Sequence, residues 1–216
     1  MPLRLEELTK EDGELLVKLA RRAVEKYVTE YVRISPPSEI PPKLAERAGV
    51  FVTIEKIVRD AAGIPRRVLR GCIGFPEPVM PLAEATIEAA IAAATEDPRF
   101  EPLAPGELKS VIFEVSVLSP LQPVEYSRPE ELLEKVKVGK HGILVEKGLL
   151  RGLLLPQVPV EYGWSTEEFL ENACIKAGLP LDAWRTAKLR VYTFEARIFA
   201  EVYPEGEVVE RVLLPE

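Results

Sequence analysis

Two strand-like segments separated by a short turn constrain this chain most. Gly49 to Ile57 (GVFVTIEKI) alternates apolar and polar residues, as a half-buried strand does. The turn material Asp60 to Arg66 (DAAGIPR) follows, and Val68 to Ile73 (VLRGCI) reads as the partner strand. A β-hairpin is the simplest arrangement. The device recurs: Gly142 to Val145 and Leu149 to Leu155 flank Glu146-Lys147-Gly148, a hairpin turn. The tail gives Leu189 to Arg197, Ile198 to Tyr203 and, after Pro204-Glu205-Gly206, Val208 to Leu214. Ser110 to Ser119 (SVIFEVSVLS) is the clearest strand. It sets Val111, Phe113, Val115 and Val117 on one face and Ile112, Glu114, Ser116 and Leu118 on the other. Hairpins this frequent, without strict strand–helix alternation, predict an α+β fold: a mainly antiparallel sheet packed with helices.

The helices are read from their period. From about Lys10 to Val32, Leu15, Leu16, Leu19, Ala20, Ala23, Val24, Tyr27, Val28 and Tyr31 recur at helical spacing, behind a capping box of Thr9 and Asp12. A proline-rich connector, SPPSEIPPK, comes next and is expected to be extended. Leu82 to Thr95 is an alanine-rich helix whose small side chains imply close packing, ended by Asp97-Pro98. Ser127, Pro129 and Glu130 start a short helix ending near Val138. Ser165 with Glu168 caps a helix from Thr166 to Ala177, stopped by Gly178 and Pro180.

Composition narrows the function classes. The 216 residues carry 35 acidic and 28 basic side chains, a net charge of −7. That disfavours generic nucleic-acid binding, which draws on clustered Lys and Arg. No stretch is apolar enough to span a bilayer, and the N-terminus lacks an apolar signal core, so a cytoplasmic protein is expected. Two cysteines exclude a disulfide-rich scaffold, and a single His excludes any His pair. Cys72, Cys174 and His141 match no zinc spacing, and no nucleotide-binding or hydrolase motif is present, so no metal and no cofactor is indicated. Asn172 is the sole Asn, Gln122 and Gln157 are the sole Gln, and the 20 prolines lie mostly between periodic segments. This pattern points to a thermophilic source.

The most informative residues are Leu69-Arg70-Gly71-Cys72-Ile73-Gly74, a thiol between two glycines beside a guanidinium. Glycines allow close backbone approach, and Arg70 is a candidate to stabilise the reactive thiolate if both share a strand face. The architectural alternative makes Cys72 a small buried hydrophobe beside a glycine bulge.

LRGCIG, the alanine-rich helix, then Asp97-Pro98-Arg99-Phe100 and Pro102-Leu103 resemble the AMMECR1-domain family. So do Lys140-His141-Gly142, Leu155-Pro156-Gln157-Val158, Glu161, Gly163-Trp164, Phe169-Leu170, Lys176-Ala177-Gly178 and Trp184. The resemblance covers nearly the whole chain. It implies one domain over residues 1–216 with a larger and a smaller subdomain, whose boundaries pattern alone does not place, and an archaeal source among others. It implies no settled reaction. LRGCIG is the family signature, and a catalytic or binding role for it is an inference within the family. Family genes lie beside, or are fused to, relatives of the Memo protein and a radical SAM enzyme, which implies those as partners. A role in RNA modification attached to the family gains nothing from the net charge of −7.

Two functional readings follow. In the first, the chain is an enzyme using Cys72, with Arg70 binding an anion or the thiolate, His141 as base, and Glu114 or Glu161 as orienter. His141 is the only imidazole and sits in the flexible run Gly139-Lys140-His141-Gly142; its alternative is a hydrogen-bonded loop residue. In the second, the chain is a non-catalytic binding or regulatory module. Arg70, Gly71 and Gly74 of LRGCIG would then line a small-molecule or peptide cleft with Gln157, Glu161, Tyr162 and Trp164 of LPQVPVEYGW. For Trp164 and Trp184 core packing is the competing reading, for Cys174 a place in the core, and for Arg99 an ion pair at the helix end.

Overall fold

The structure, a computed structural model, describes residues 3–213. In chain order it runs α1 (Lys10–Glu30), β1 (Gly49–Arg59), β2 (Pro65–Phe75), α2 (Leu82–Thr95), β3 (Val111–Leu118) and β4 (Gln122–Pro123). There follow α3 (Glu131–Lys135), β5 (Gly142–Lys147), β6 (Leu150–Leu154), α4 (Gln157–Tyr162), α5 (Thr166–Lys176) and α6 (Ala183–Thr186). The chain closes with β7 (Arg190–Phe194), β8 (Ala196–Glu201) and β9 (Val208–Arg211). The fold is α+β. The expected end of the last strand, Leu214, lies outside the described residues. Two compact units result. One takes the chain up to Pro120 and returns with Arg197–Arg211; the other is Leu121–Ala196 together with Val212 and Leu213.

The first unit is a five-stranded sheet in the order β2-β1-β3-β8-β9. The β1–β2, β1–β3 and β8–β9 pairs are antiparallel. The capping box forms as read: Thr9 accepts from the Asp12 N–H, and Asp12 accepts from the Thr9 N–H. The apolar stripe of α1, the alanines of α2, and Val50, Val52, Ile54, Val111, Phe113, Val115 and Val117 make one core. α2 is buried on nearly every side because it packs against α1 as well as β1 and β2, and only small side chains fit such spacing. Across this core Arg21 donates Nε–H and Nη2–H to Glu201, both at 2.6 Å, and Glu201 also accepts from the Phe113 N–H. This buried pair ties α1 to β8 and β3.

The second unit is a four-stranded sheet in the order β4-β7-β5-β6 with its own core. Phe169, Leu170, Ala173 and Cys174 of α5 pack with Ile143, Val145, Leu132 and Trp184. Ser165 caps α5 reciprocally with Glu168. Two elements depart from the sequence expectation. The stretch after Leu155, given no element from sequence, contains the short helix α4; Pro159 lies in its first turn, where a missing N–H costs nothing. The tail strands are divided by Glu195, so that β7 and β8 join different sheets.

Candidate active site

The position of Cys72 follows from a bulge. Ile54 pairs with Gly71, but Glu55 pairs with Leu69, so Arg70 is the extra residue of β2. A one-residue offset turns every following side chain to the other face. With regular pairing, Cys72 would face Val52 and enter the core beneath the helices. With the bulge it pairs with Thr53, on the opposite face, and Thr53 in turn pairs with Glu114 of β3. Cys72, Thr53 and Glu114 thus form a polar row across three strands, with Cys72 and Glu114 separated by two strand spacings, roughly 10 Å.

Cys72 as a residue is half-buried. The Thr53 hydroxyl donates to Cys72 Sγ at 3.3 Å. The Cys72 N–H donates to Asp97 Oδ2 at 2.8 Å, a bond from the strand to the residue just past α2. Asp97 also accepts from Arg99 Nε at 2.9 Å, Arg99 Nη2 at 2.6 Å and the Arg99 N–H at 3.1 Å. Burial raises the Asp97 pKa, but the bonds from Arg99 and from the Cys72 N–H outweigh it and bring the carboxyl down to about 2. Arg99 is raised, mainly by its hydrogen bonds to Asp97, against the lowering by burial; the charges of Asp97 and of the Cys72 sulfur add to it. Glu114 is buried and accepts from Arg211 Nη1.

The glycines of LRGCIG serve the backbone. A Cβ on Gly71 would lie 2.0 Å from the Ala93 carbonyl oxygen, so glycine is what lets α2 settle on β2. A Cβ on Gly74 would lie 2.3 Å from the Val50 carbonyl oxygen. Arg70 has partners of its own. Displaced by the bulge, it donates Nε–H at 3.0 Å and Nη2–H at 2.9 Å to Glu107. Those bonds from Arg70 are the main reason Glu107 falls to about 2, against burial. The guanidinium linked to the Cys72 main chain is that of Arg99, the residue read from sequence as a helix-end ion pair; that pair forms, and Asp97 joins it to the Cys72 N–H.

The remaining candidates lie in the second unit. His141 ends the turn before β5, where its Nδ1 accepts from the Lys137 N–H at 3.2 Å. Burial first, then the charges of Lys140 and Lys137, lower its pKa, with Glu195 opposing. Gln157 is buried at the start of α4, and Glu161 is exposed at its end. Trp164 is half-buried against the second core and stacks on Tyr162, with centroids 5.0 Å apart and planes 20° from parallel. Trp184 and Cys174 are core residues, and burial pushes the Cys174 thiol up. Among the described residues, no group of three or more His, Cys, Asp or Glu could hold a metal ion.

A family model described as AMMECR1 matches residues 17–199. The chain belongs to the AMMECR1 family. It is 62% identical over 207 residues to a protein of Thermofilum pendens, covering 95% of this chain and 97% of that one. It is 51% identical over 214 residues to protein MK0488 of Methanopyrus kandleri, covering 98% and 99%. Among solved structures it matches the crystal structure of uncharacterized protein PH0010 from Pyrococcus horikoshii. The TM-score is 0.88 at 50% identity, covering 95% of this chain and 99% of that one. These AMMECR1 relatives come from thermophilic archaea. No helix of the described residues is long and apolar enough to cross a membrane.

Within this AMMECR1 chain, sequence reasoning singled out Cys72 but left Thr53, Asp97 and Arg99 outside the site. One signal was available: Asp97 follows directly on α2, the helix that rests on Gly71, so the end of that helix returns to the strand next to the thiol.

Proposed function

We propose that the first unit carries a cysteine-dependent active site in which Cys72 is the nucleophile. The observation that carries this reading is the Thr53 hydroxyl donating to the sulfur of a half-buried cysteine. A hydroxyl aimed at sulfur stabilises the thiolate, the reactive form, and a sulfur held on a rigid strand attacks along one direction. Asp97 adds rigidity by fixing the Cys72 main chain. After the thiol proton passes to solvent, the thiolate would form an S–C bond with an electrophilic carbon as that carbon's leaving group departs with its bonding electron pair, while Thr53 holds the sulfur in line and Glu114, in the same row, keeps that face polar. The reading uses residues of the first unit alone. The test is thiol-labelling rate against pH in Cys174→Ala. Cys72 should label in the folded state with an apparent pKa below the free-thiol value of about 8.5. No labelling, or a midpoint at or above that value, overturns the reading.

A second reading, a non-catalytic binding module, is favoured by one observation. Tyr162 is 69% exposed and stacked on Trp164, a flat apolar face open to a ligand. A Memo-like protein or a radical SAM enzyme is the partner that family association suggests. Under this reading Cys72→Ser changes affinity or stability and abolishes no activity, and a Memo-like protein is retained at micromolar concentration in a pull-down.

A further inference from the structure

We infer that Arg99, held by Asp97, is the specificity-determining residue of the Cys72 site, and that the molecule acted on carries a carboxylate or phosphate beside its electrophilic centre. The inference rests on the reading of Cys72 as nucleophile and names the substrate class of that same site.

One carboxylate fastens both parts. Asp97 Oδ2 accepts from the Cys72 N–H at 2.8 Å and from Arg99 Nη2 at 2.6 Å, while Oδ1 accepts from Arg99 Nε at 2.9 Å. The guanidinium is therefore positioned relative to the strand that bears the sulfur. Two of its three nitrogens face Asp97, and the third, Nη1, has no hydrogen-bond partner among the described residues. As a whole the pair is neutral, but it is polarised. The Asp97 side chain is 2% exposed and that of Arg99 49%, so the positive end faces solvent. Planar guanidinium donors suit the oxygens of carboxylate and phosphate groups. The neighbouring Arg70 is paired in the same way, through Nε and Nη2 with Glu107, but its side chain is 14% exposed, so it presents no such edge to solvent.

The test compares two alkylating reagents on Cys72 in Cys174→Ala: iodoacetate, which bears a carboxylate, and neutral iodoacetamide. In both, the thiolate attacks the methylene carbon and iodide leaves. The expected result is that Arg99→Gln lowers the iodoacetate-to-iodoacetamide rate ratio about tenfold, the size of one charge-assisted hydrogen bond. Arg99→Lys should lower it less, because charge is kept and the planar fork lost. A second measurement does not depend on a reactive thiol. In Cys72→Ser, inorganic phosphate or acetate should raise Tm above sodium chloride of equal ionic strength, and Arg99→Gln should remove that increment. Phosphate acting alone identifies a phosphate-bearing substrate, and acetate acting alone a carboxylate. Loss of either effect in the Arg99 variants supports the inference; a ratio and a Tm increment both unchanged by them overturn it. Failure of iodoacetamide to label folded Cys72 sinks the nucleophile reading instead, and the Tm comparison still decides whether Arg99 binds an anion.

Discussion

Arg70 and Arg99 both bring their guanidinium carbons over the Phe100 ring, 5.9 Å and 5.5 Å from its centroid, yet their environments separate their roles. Arg70 is enclosed and meets both oxygens of Glu107; Arg99 leaves one edge to solvent. Glu107→Gln strands the Arg70 charge, and the expected cost is about 1–3 kcal/mol in the urea unfolding free energy. The residue that the sequence flagged and the residues that surround it differ for a simple reason. Cys72 is conspicuous between two glycines, whereas Asp97 lies 25 positions away and reaches it only because α2 folds back on β2. Arg70 was the obvious cation by adjacency, but adjacency on a strand is not proximity once a bulge intervenes.

At the scale of elements, period and caps made most of the fold readable. The α1 stripe, the Ser165 cap of α5 and the two faces of β3 all follow from spacings of 3.6 and 2 residues. Less readable were features that local pattern does not encode. α4 has a proline in its sequence and only six residues; β7 and β8 are separated by one residue and diverge to different sheets. A bulge beside the glycines is legible, but nothing in LRG marks Arg70 as the residue that drops out of register. Two predictions belong here. Gly71→Ala drives a methyl into the Ala93 carbonyl, so β2 or α2 must shift. The expected loss is about 3 kcal/mol in urea unfolding, the upper end for overpacking, with the first-unit sheet losing hydrogen-exchange protection. Ser165→Ala removes the α5 cap and should cost about 1 kcal/mol, with helix fraying confined to the first turn of α5.

For the whole molecule, the depressed carboxyls set an acid limit. Asp97 and Glu107 both lie at about 2 when folded, below their unfolded values of about 4. Such groups stabilise the fold fully above the unfolded pKa, and this contribution is lost as pH falls through the folded one. Each contributes about 2–3 kcal/mol. His141, lowered by burial, acts in the same direction from its unfolded value of about 6.5 downward. The urea midpoint should be level above about pH 7 and fall steeply below about pH 4. Asp97→Asn and Glu107→Gln should each flatten the acid limb, and a midpoint unchanged down to pH 3 would contradict the assignment. The buried Arg21–Glu201 pair bears on the same balance. Glu201→Gln removes the bidentate carboxylate from the buried Arg21, leaving Glu25 at 3.5 Å as its acidic partner, and should cost about 3 kcal/mol in urea unfolding at pH 7. That pair joins residues 180 positions apart, on either side of the Leu121–Ala196 segment of the second unit. During synthesis, α1 and the first three strands therefore leave the ribosome with Arg21 lacking its bidentate partner Glu201 and one side of β3 bare. The intervening segment Leu121–Ala196 has its residues in hand before β8 emerges. A nascent chain at that stage offers a naked sheet margin to any neighbouring polypeptide, and that interval is where chaperone demand and misassembly should concentrate.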